Sequence, residues 1–472
     1  MSKYYITAAI PYVNAKPHIG HALEFTQADT VGRYHRLLGE EVALLTGGDE
    51  NALKNVQAAE DAGVDIQTFI DQNAELFKNL LVKLDTQFDI FQKGSDKEHH
   101  YVSAQKLWEL CDKNGDIYKK SYKGLYCVGC EAFYTREELN ENGECFEHPG
   151  KKLEEVEEEN YFFKLSKYGD RITKLIESGE YEIVPEFRKN EILSFLKGGL
   201  QDISISRTNE RAKNWGVPVP GDNSQRIYVW FDALNIYQSG VGFGWDDEKY
   251  NKWWPADLHV IGKGIIRFHA VYWPAILLSA GLKLPKKLFV HEYFTVNGQK
   301  MSKTLGNVFD PIPLLEKYGA DPLRYYCLAK ISPFQDGDFS EEKFVESYNA
   351  DLANGLGNLV ARVARLAEKN NVVVSDKADS FSPEVEEHLQ NFKFNEALHF
   401  IWEKISEADK RVNEEKPWEL EEEKARPVLD ELAKRIQQIA FNLQPFLPET
   451  SEKILKQFSG EVKSSDPLFP RI

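Results

Sequence analysis

The chain opens with Tyr4-Tyr5-Ile6-Thr7-Ala8-Ala9-Ile10, stopped by Pro11 and followed after a turn by Pro17-His18-Ile19-Gly20-His21. Aromatic and β-branched residues run together from Tyr4 to Ile10 as a short buried strand, and Asn14, Lys16 and Pro17 mark the turn after it. A helix is predicted to begin near Gly20, which puts two imidazoles at a helix N-terminus, where backbone N–H groups and the helix dipole favour phosphate. Gly20 lacks a Cβ and lets a nucleotide approach the backbone, while His18 and His21 can donate to phosphate oxygens on which charge develops. Seen alone, the pentapeptide reads equally well as a turn with two surface histidines.

Val42 to Leu45 forms a second short apolar run ending in Thr46-Gly47-Gly48-Asp49, after which Leu53, Val56 and Ala59 recur at helical spacing. Ile66, Phe69, Ile70, Phe77, Leu80, Leu81 and Leu84 then keep a period near 3.6. Alternating strands and helices predict an α/β fold with a Rossmann-like parallel sheet. From about Gly115 the pattern breaks into Cys-rich turns, an acidic run from Glu154 to Glu159 read as a solvated helical face, and short segments through Trp215, as expected of an insertion. Strand character returns at Arg226 to Phe231 and at Asp257 to Ile261, with an apolar helix over about Ile265 to Ser279. After about Ser340 only helical periodicity remains, as in Leu352, Leu356, Leu359, Val360, Val363 and Leu366, so an all-α bundle is expected to close the chain.

Composition narrows the partners. The 472 residues are 42% hydrophobic and 28% charged, which predicts globular domains with ample cores. The 58 Lys and Arg against 75 Asp and Glu leave a net charge of −17, so a polyanion is expected to meet local patches only. No run approaches the roughly twenty apolar residues of a membrane span, and no secretory signal is visible, so a cytoplasmic address with no membrane partner is expected. Three of the five cysteines crowd together: Cys127-Val128-Gly129-Cys130 and Cys145-Phe146-Glu147-His148 make two ligand pairs, a Cys₃His set suited to tetrahedral zinc. Four protein ligands leave no open position, so this metal is expected to be structural.

Near Asn297-Gly298-Gln299 lies Lys300-Met301-Ser302-Lys303-Thr304, a glycine-bounded loop in which two lysines can meet a leaving pyrophosphate as the transition state forms. Alone it is more readily an ordinary basic loop. Together, in this order, the two segments resemble the HIGH and KMSKS signatures of class I aminoacyl-tRNA synthetases. Thr7 to Asn14, Tyr228-Val229-Trp230-Phe231-Asp232-Ala233-Leu234 and Val296-Asn297-Gly298 narrow the resemblance to the methionyl-tRNA synthetases, over nearly the whole chain.

The resemblance implies methionine activation by ATP, with Mg²⁺, and transfer to the 3′ end of tRNA(Met). Catalysis would fall to His18, His21, Lys300 and Lys303, and ATP binding to these four with Gly20 and Ser302. The methionine pocket would carry over onto Ile10, Tyr12, Trp230, Ala233, Leu234, Tyr237, His269 and Trp273, with Asp49 on the ammonium. A thioether offers almost no hydrogen-bonding handle, so an aromatic-rich pocket fits it, although these rings taken alone read as core. Asn358, Arg362 and Trp418 would contact the anticodon, by polar base-edge contacts and a stacking surface. The implied organisation is a catalytic domain in two halves (1–114 and 216–290), a zinc-bearing insertion (115–215), a linker with the lysine loop (291–340) and a helical anticodon-binding domain (341–472). A monomer is expected.

One departure stands out. Where the family commonly reads Thr-Gly-Thr-Asp-Glu-His-Gly, this chain reads Thr46-Gly47-Gly48-Asp49-Glu50-Asn51-Ala52, replacing a threonine hydroxyl and a histidine beside the carboxylate. Thr304 replaces the final serine of the lysine loop and keeps a hydroxyl. Alternatives remain at this point: a sister synthetase for isoleucine, leucine or valine, which calls for a longer editing insertion; one for cysteine, which calls for zinc at the pocket; and a catalytically silent tRNA-binding paralogue.

Overall fold

A computed structural model describes residues 2–127, 132–134, 136–146, 150–296, 298–301, 307–375 and 378–472. They form two compact units, one of Met1–Pro17, Glu40–Asn79 and Phe88–His291, the other of His18–Gly39, Leu80–Gln87 and Glu292–Ile472.

The first unit is built on six strands: β1 (Lys3–Ala8), β2 (Glu41–Gly48), β3 (Ile90–Lys93), β4 (Glu182–Val184), β5 (Leu258–Gly262) and β6 (Lys287–His291). Their order is β3-β2-β1-β5-β6-β4, and every neighbouring pair is parallel. Both faces of such a sheet are covered, which is why β5 is buried at all its positions and β2 over its last six. The strand order reverses between β1 and β5, the kind of switch point at whose carboxyl end α/β sheets bind ligands. Tyr12 and Asp49 follow the carboxyl ends of β1 and β2.

Several elements differ from the sequence reading. The run from Glu154 is a strand, Glu154–Phe163, paired antiparallel with Ile117–Cys127. Val156, Asn160 and Phe162 turn inward, and Lys123 faces Glu157 across the ladder, so pairing and cross-strand charge override the helix preference of glutamate. Arg226 to Phe231 is not one strand of the parallel sheet. Asp222–Ile227 joins an antiparallel sheet with Ser206–Thr208 and Pro218–Val219, and Val229–Ala233 is a buried helical turn, because a short apolar run is ambiguous by periodicity. The expected helix at 265–279 is interrupted by a wide turn, Phe268–Tyr272, in which the Trp273 N–H reaches Phe268 O. Pro274 lacks the N–H an α-helix would use there, and the ladder widens just before it. Within the stretch read as an insertion, β4 returns to the parallel sheet as its edge strand.

The second unit begins with α1 (Ile19–Leu37) and contains the long helices Phe394–Glu415 and Glu422–Leu443. It is not purely helical after Ser340, since Val373–Val374 pairs with Gly460–Glu461. Its interior holds Arg324, fully buried, with Nη1 2.7 Å from Asp29 Oδ2. Arg324 Nε and Nη2 donate to Phe446 O at 2.8 Å and Pro445 O at 2.9 Å. Asp29 also accepts from Arg33 Nε at 2.8 Å and from the Gln87 N–H at 2.7 Å. Among the described residues no helix is long and apolar enough to cross a membrane.

Candidate active site

In the second unit, His18 is the N-cap of α1, with extended backbone. The Gly20 N–H donates to His18 Nδ1 at 3.1 Å, and the His18 N–H donates to His21 Nδ1 at 3.0 Å. Both Nδ1 atoms are therefore acceptors, which leaves the ring proton of each neutral imidazole on Nε2. The helix start sets the tautomer of both histidines. Their rings lie 3.9 Å apart, and a Cβ at Gly20 would press on the His18 ring at 3.0 Å, so a side chain there would push that ring from its place. Burial, and secondarily the His18 charge, hold the His21 imidazole well below its ordinary value, so it is neutral at pH 7. Of the lysine loop, Ser302 and Lys303 lie outside the described residues; Lys300 is placed on the short strand Gln299–Lys300, paired with Phe294–Val296.

The first unit gathers the residues assigned to methionine. Parallel pairing continues past β1 and β2 as a bridge between Tyr12 and Asp49, with the Asp49 N–H donating to Pro11 O at 2.9 Å. Asp49 is buried, and its carbonyl accepts from Asn55 Nδ2 at 2.8 Å. The Tyr12 ring meets the edge of Trp230 at 6.3 Å, while the Lys54 ammonium lies 2.9 Å from its centroid. Trp230 stacks on Phe268 at 3.6 Å and 4°. Ala233 and Leu234 end the same helical turn as Trp230, and Ile10, half-buried, packs against this core.

A second aromatic group surrounds Tyr237, whose hydroxyl lies 2.7 Å from His269 Nε2. His269 Nδ1 lies 2.9 Å from Ile265 O, a carbonyl that only accepts, so Nδ1 carries the proton and Nε2 accepts from Tyr237. Burial lowers His269 to about 4 and holds His259, 4.6 Å from the Tyr237 ring, well below the ordinary value. Trp273 is fully buried and meets Trp254 edge-on at 6.0 Å. Its Nε1 has no hydrogen-bond partner among the described residues. His269 and Trp273 thus have separate ring partners across the wide turn.

Sequence reasoning passed over Phe268, Lys54 and His259. Phe268 had a signal, since it precedes His269 in the same apolar run; Lys54 and His259 had none. The histidine expected by family pattern at position 51 is replaced by Asn51, whose Nδ2 donates to Asp232 Oδ2 and Gly94 O, each at 2.7 Å.

Cys127 Sγ and Cys145 Sγ lie 3.3 Å apart, both buried and not disulfide-bonded. Cys130 and His148 lie outside the described residues, and among the described residues no group of three or more metal-ligating side chains occurs. Two thiols converging at that distance fit the soft donor set of a zinc site.

In the helical part, Arg362 lies on the helix Asn358–Lys369, which begins with the exposed Asn358. The Arg362 guanidinium sits 4.8 Å from the Trp418 ring centroid, held by Asn413 Oδ1 at 2.8 Å, a contact the sequence did not signal. Trp418 is 42% exposed, unusually open for an indole.

The family tRNA synthetases class I (M) matches residues 4–364. The methionine–tRNA ligase of Thermotoga maritima is 44% identical over 483 residues, covering 98% of this chain and 76% of the relative. That of Brucella suis biovar 1 is 41% identical over 507 residues, covering 99% of this chain and 98% of the relative. A structure of Mycobacterium tuberculosis methionyl-tRNA synthetase in complex with methionyl-adenylate superposes with a TM-score of 0.92 at 36% identity, covering 100% of both chains.

Proposed function

The chain belongs to the methionyl-tRNA synthetases of class I, and from that premise we propose how its residues divide the reaction. The protein activates methionine with ATP and charges tRNA with it. The methionine carboxylate attacks the α-phosphate of ATP, pyrophosphate leaves, and methionyl-adenylate forms. A terminal ribose hydroxyl of tRNA then attacks the methionyl carbonyl, and AMP leaves.

The observation that carries the residue assignment is the cap of α1, which fixes both histidines as Nε2–H donors at a helix N-terminus. Hydrogen bonds from His18 and His21 to phosphate oxygens strengthen as charge builds in the transition state. Lys300 and Lys303 meet the leaving pyrophosphate, with Ser302 and Gly20 completing the ATP site and Mg²⁺ accompanying the nucleotide. Asp49 takes the methionine ammonium. Tyr12, Trp230, Ile10, Ala233 and Leu234 flank the side chain, with Tyr237, His269 and Trp273 behind. Both ring nitrogens of His269 are already committed, so it serves as a neutral, shaped wall.

The same reading divides the chain at 114, 215, 290 and 340 as the sequence suggests. It gives the insertion one structural zinc on Cys127, Cys130, Cys145 and His148, where the metal supplies cross-linking of a hairpin with little core of its own. It makes the protein a cytoplasmic monomer.

The test is amino-acid-dependent exchange of labelled pyrophosphate into ATP, across all twenty amino acids, with Lys303→Ala as the control. Exchange with methionine alone, lost in the variant, is the expected result; undiminished exchange in Lys303→Ala removes the lysine from the reaction.

Asn358, Arg362 and Trp418 are assigned to the anticodon. Stacking of a base on an aromatic ring is worth about 1–3 kcal/mol, so Trp418→Ala is expected to lower kcat/KM for tRNA charging about 10–100-fold. Methionine-dependent exchange, which needs no tRNA, is expected to stay at the wild-type rate. Equal loss in both assays would assign Trp418 to folding instead.

A further inference from the structure

The segment 48–51 is pinned at every carbonyl but its last. The Gly94 N–H donates to Gly48 O at 3.0 Å, Asn55 Nδ2 to Asp49 O at 2.8 Å, and Trp215 Nε1 to Glu50 O at 2.8 Å. A side chain at Gly48 would press on Val13 Cγ1 at 3.1 Å and on Glu50 Cγ at 3.3 Å, so these neighbours would have to give way to one. Asn51 then crosses to another element: its amide nitrogen donates both hydrogens, to Gly94 O and to Asp232 Oδ2, each at 2.7 Å. Asp232 lies on the helical turn of Trp230, two residues further on. Its other oxygen lies 2.7 Å from His100 Nε2, and His100 Nδ1 lies 2.8 Å from Ser239 Oγ. Asn51, Asp232, His100 and Ser239 are all buried.

We infer that Asn51 is a positioning residue for methionine activation, which sets the distance between the Asp49 carboxylate and the Trp230 ring by tying their segments together through Asp232. The inference rests on the reading of Asp49 and Trp230 as methionine contacts. Its physical basis is geometric. A substrate held at its ammonium by one segment and at its side chain by another is bound only as well as the spacing of the two is fixed. A primary amide donates two hydrogens from one atom, so it holds a carboxylate and a carbonyl at once. An aspartate at 51 would instead oppose Asp232 with a second carboxylate.

The test is steady-state pyrophosphate exchange by the full chain. Asn51→Ala is expected to raise KM for methionine about tenfold while KM for ATP and kcat stay within about twofold. Asn51→Asp is expected to raise it further, since a second carboxylate then faces both Asp232 and the Gly94 carbonyl. A merely structural role would lower thermal stability in both variants and move both KM values alike. Wild-type methionine KM in a folded Asn51→Ala, or KM values for methionine and ATP that rise together, would overturn the proposal. Asp49→Asn, run alongside, separates the premise: if it leaves methionine KM unchanged, the Asp49 reading fails, whatever Asn51 does.

Discussion

Replacing His21 with alanine is expected to lower kcat for methionine activation by about 10²–10³-fold, with KM for methionine unchanged. That is the cost of removing one preorganised donor from developing negative charge. The expectation follows from the cap of α1. Because the His18 N–H occupies His21 Nδ1 at 3.0 Å, the Nε2 proton points in one direction before ATP arrives, and no tautomer must be selected during the reaction. Glutamine at this third helical position can accept the His18 N–H through its carbonyl oxygen and still present an N–H, so His21→Gln is expected to regain part of the rate. The pH dependence has a definite sign. Burial first, and then the His18 charge, keep the folded His21 from taking a proton that the unfolded chain takes below about pH 6.5. Its contribution to stability is thus intact above that pH and is lost as pH falls from there toward the folded value. Activation should therefore show no acid limb near pH 6.5 that disappears in His21→Gln. Stopped-flow or exchange rates between pH 5.5 and 8 check this, and a wild-type rate for His21→Ala would remove the histidine from the transition state.

Arg324→Ala is expected to cost about 3–5 kcal/mol of stability, because it leaves the Asp29 carboxylate buried with Arg33 as its remaining cation and strips donors from three buried carbonyls. Calorimetry should find the transition lowered by several degrees. Hydrogen exchange should find the loss of protection concentrated in α1, near Leu84 and around 445–446, where the contacts end. Arg324→Lys keeps the charge but supplies no fork of donors, so it is expected to recover less than half of the difference. A melting curve within about one degree of wild type for Arg324→Ala would mean the clamp adds nothing net, as replacement of some buried ion pairs does.

Legibility in the sequence followed range. The start of α1 was readable because its chemistry is local: a proline-bounded turn, two histidines three residues apart and a glycine between them. The strands β1, β2 and β5 were readable as apolar runs bounded by turn residues, with β1 ending two residues early, at Ala8. Glu154–Phe163 was not, since five of its residues are glutamate and the evidence for a strand lies in its partner, Ile117–Cys127. The stack of Phe268 on Trp230 and the approach of His100 to Asp232 join residues far apart in sequence, where no periodicity points from one to the other. The change at position 51 was visible as a departure from the family pattern, but its meaning was not. Asn51 turns to Asp232 and the Gly94 carbonyl, while the Asp49 carbonyl is held by Asn55.

The buried Arg324 also makes a gauge of the second unit. Eleven residues of α1 separate His18 from Asp29, about 16 Å at 1.5 Å per residue, and the 22-residue helix Glu422–Leu443 runs about 33 Å from just beyond Trp418 to the carbonyls that Arg324 holds. Two stiff rods meet at one guanidinium. Under the assignments above, the rod ends mark where the anticodon stacks and where phosphate is received, so the span offered to a tRNA is set by helix lengths rather than by the RNA. On the same assignments, lengthening the second rod by one turn is expected to lower tRNA charging while methionine-dependent pyrophosphate exchange stays at the wild-type rate.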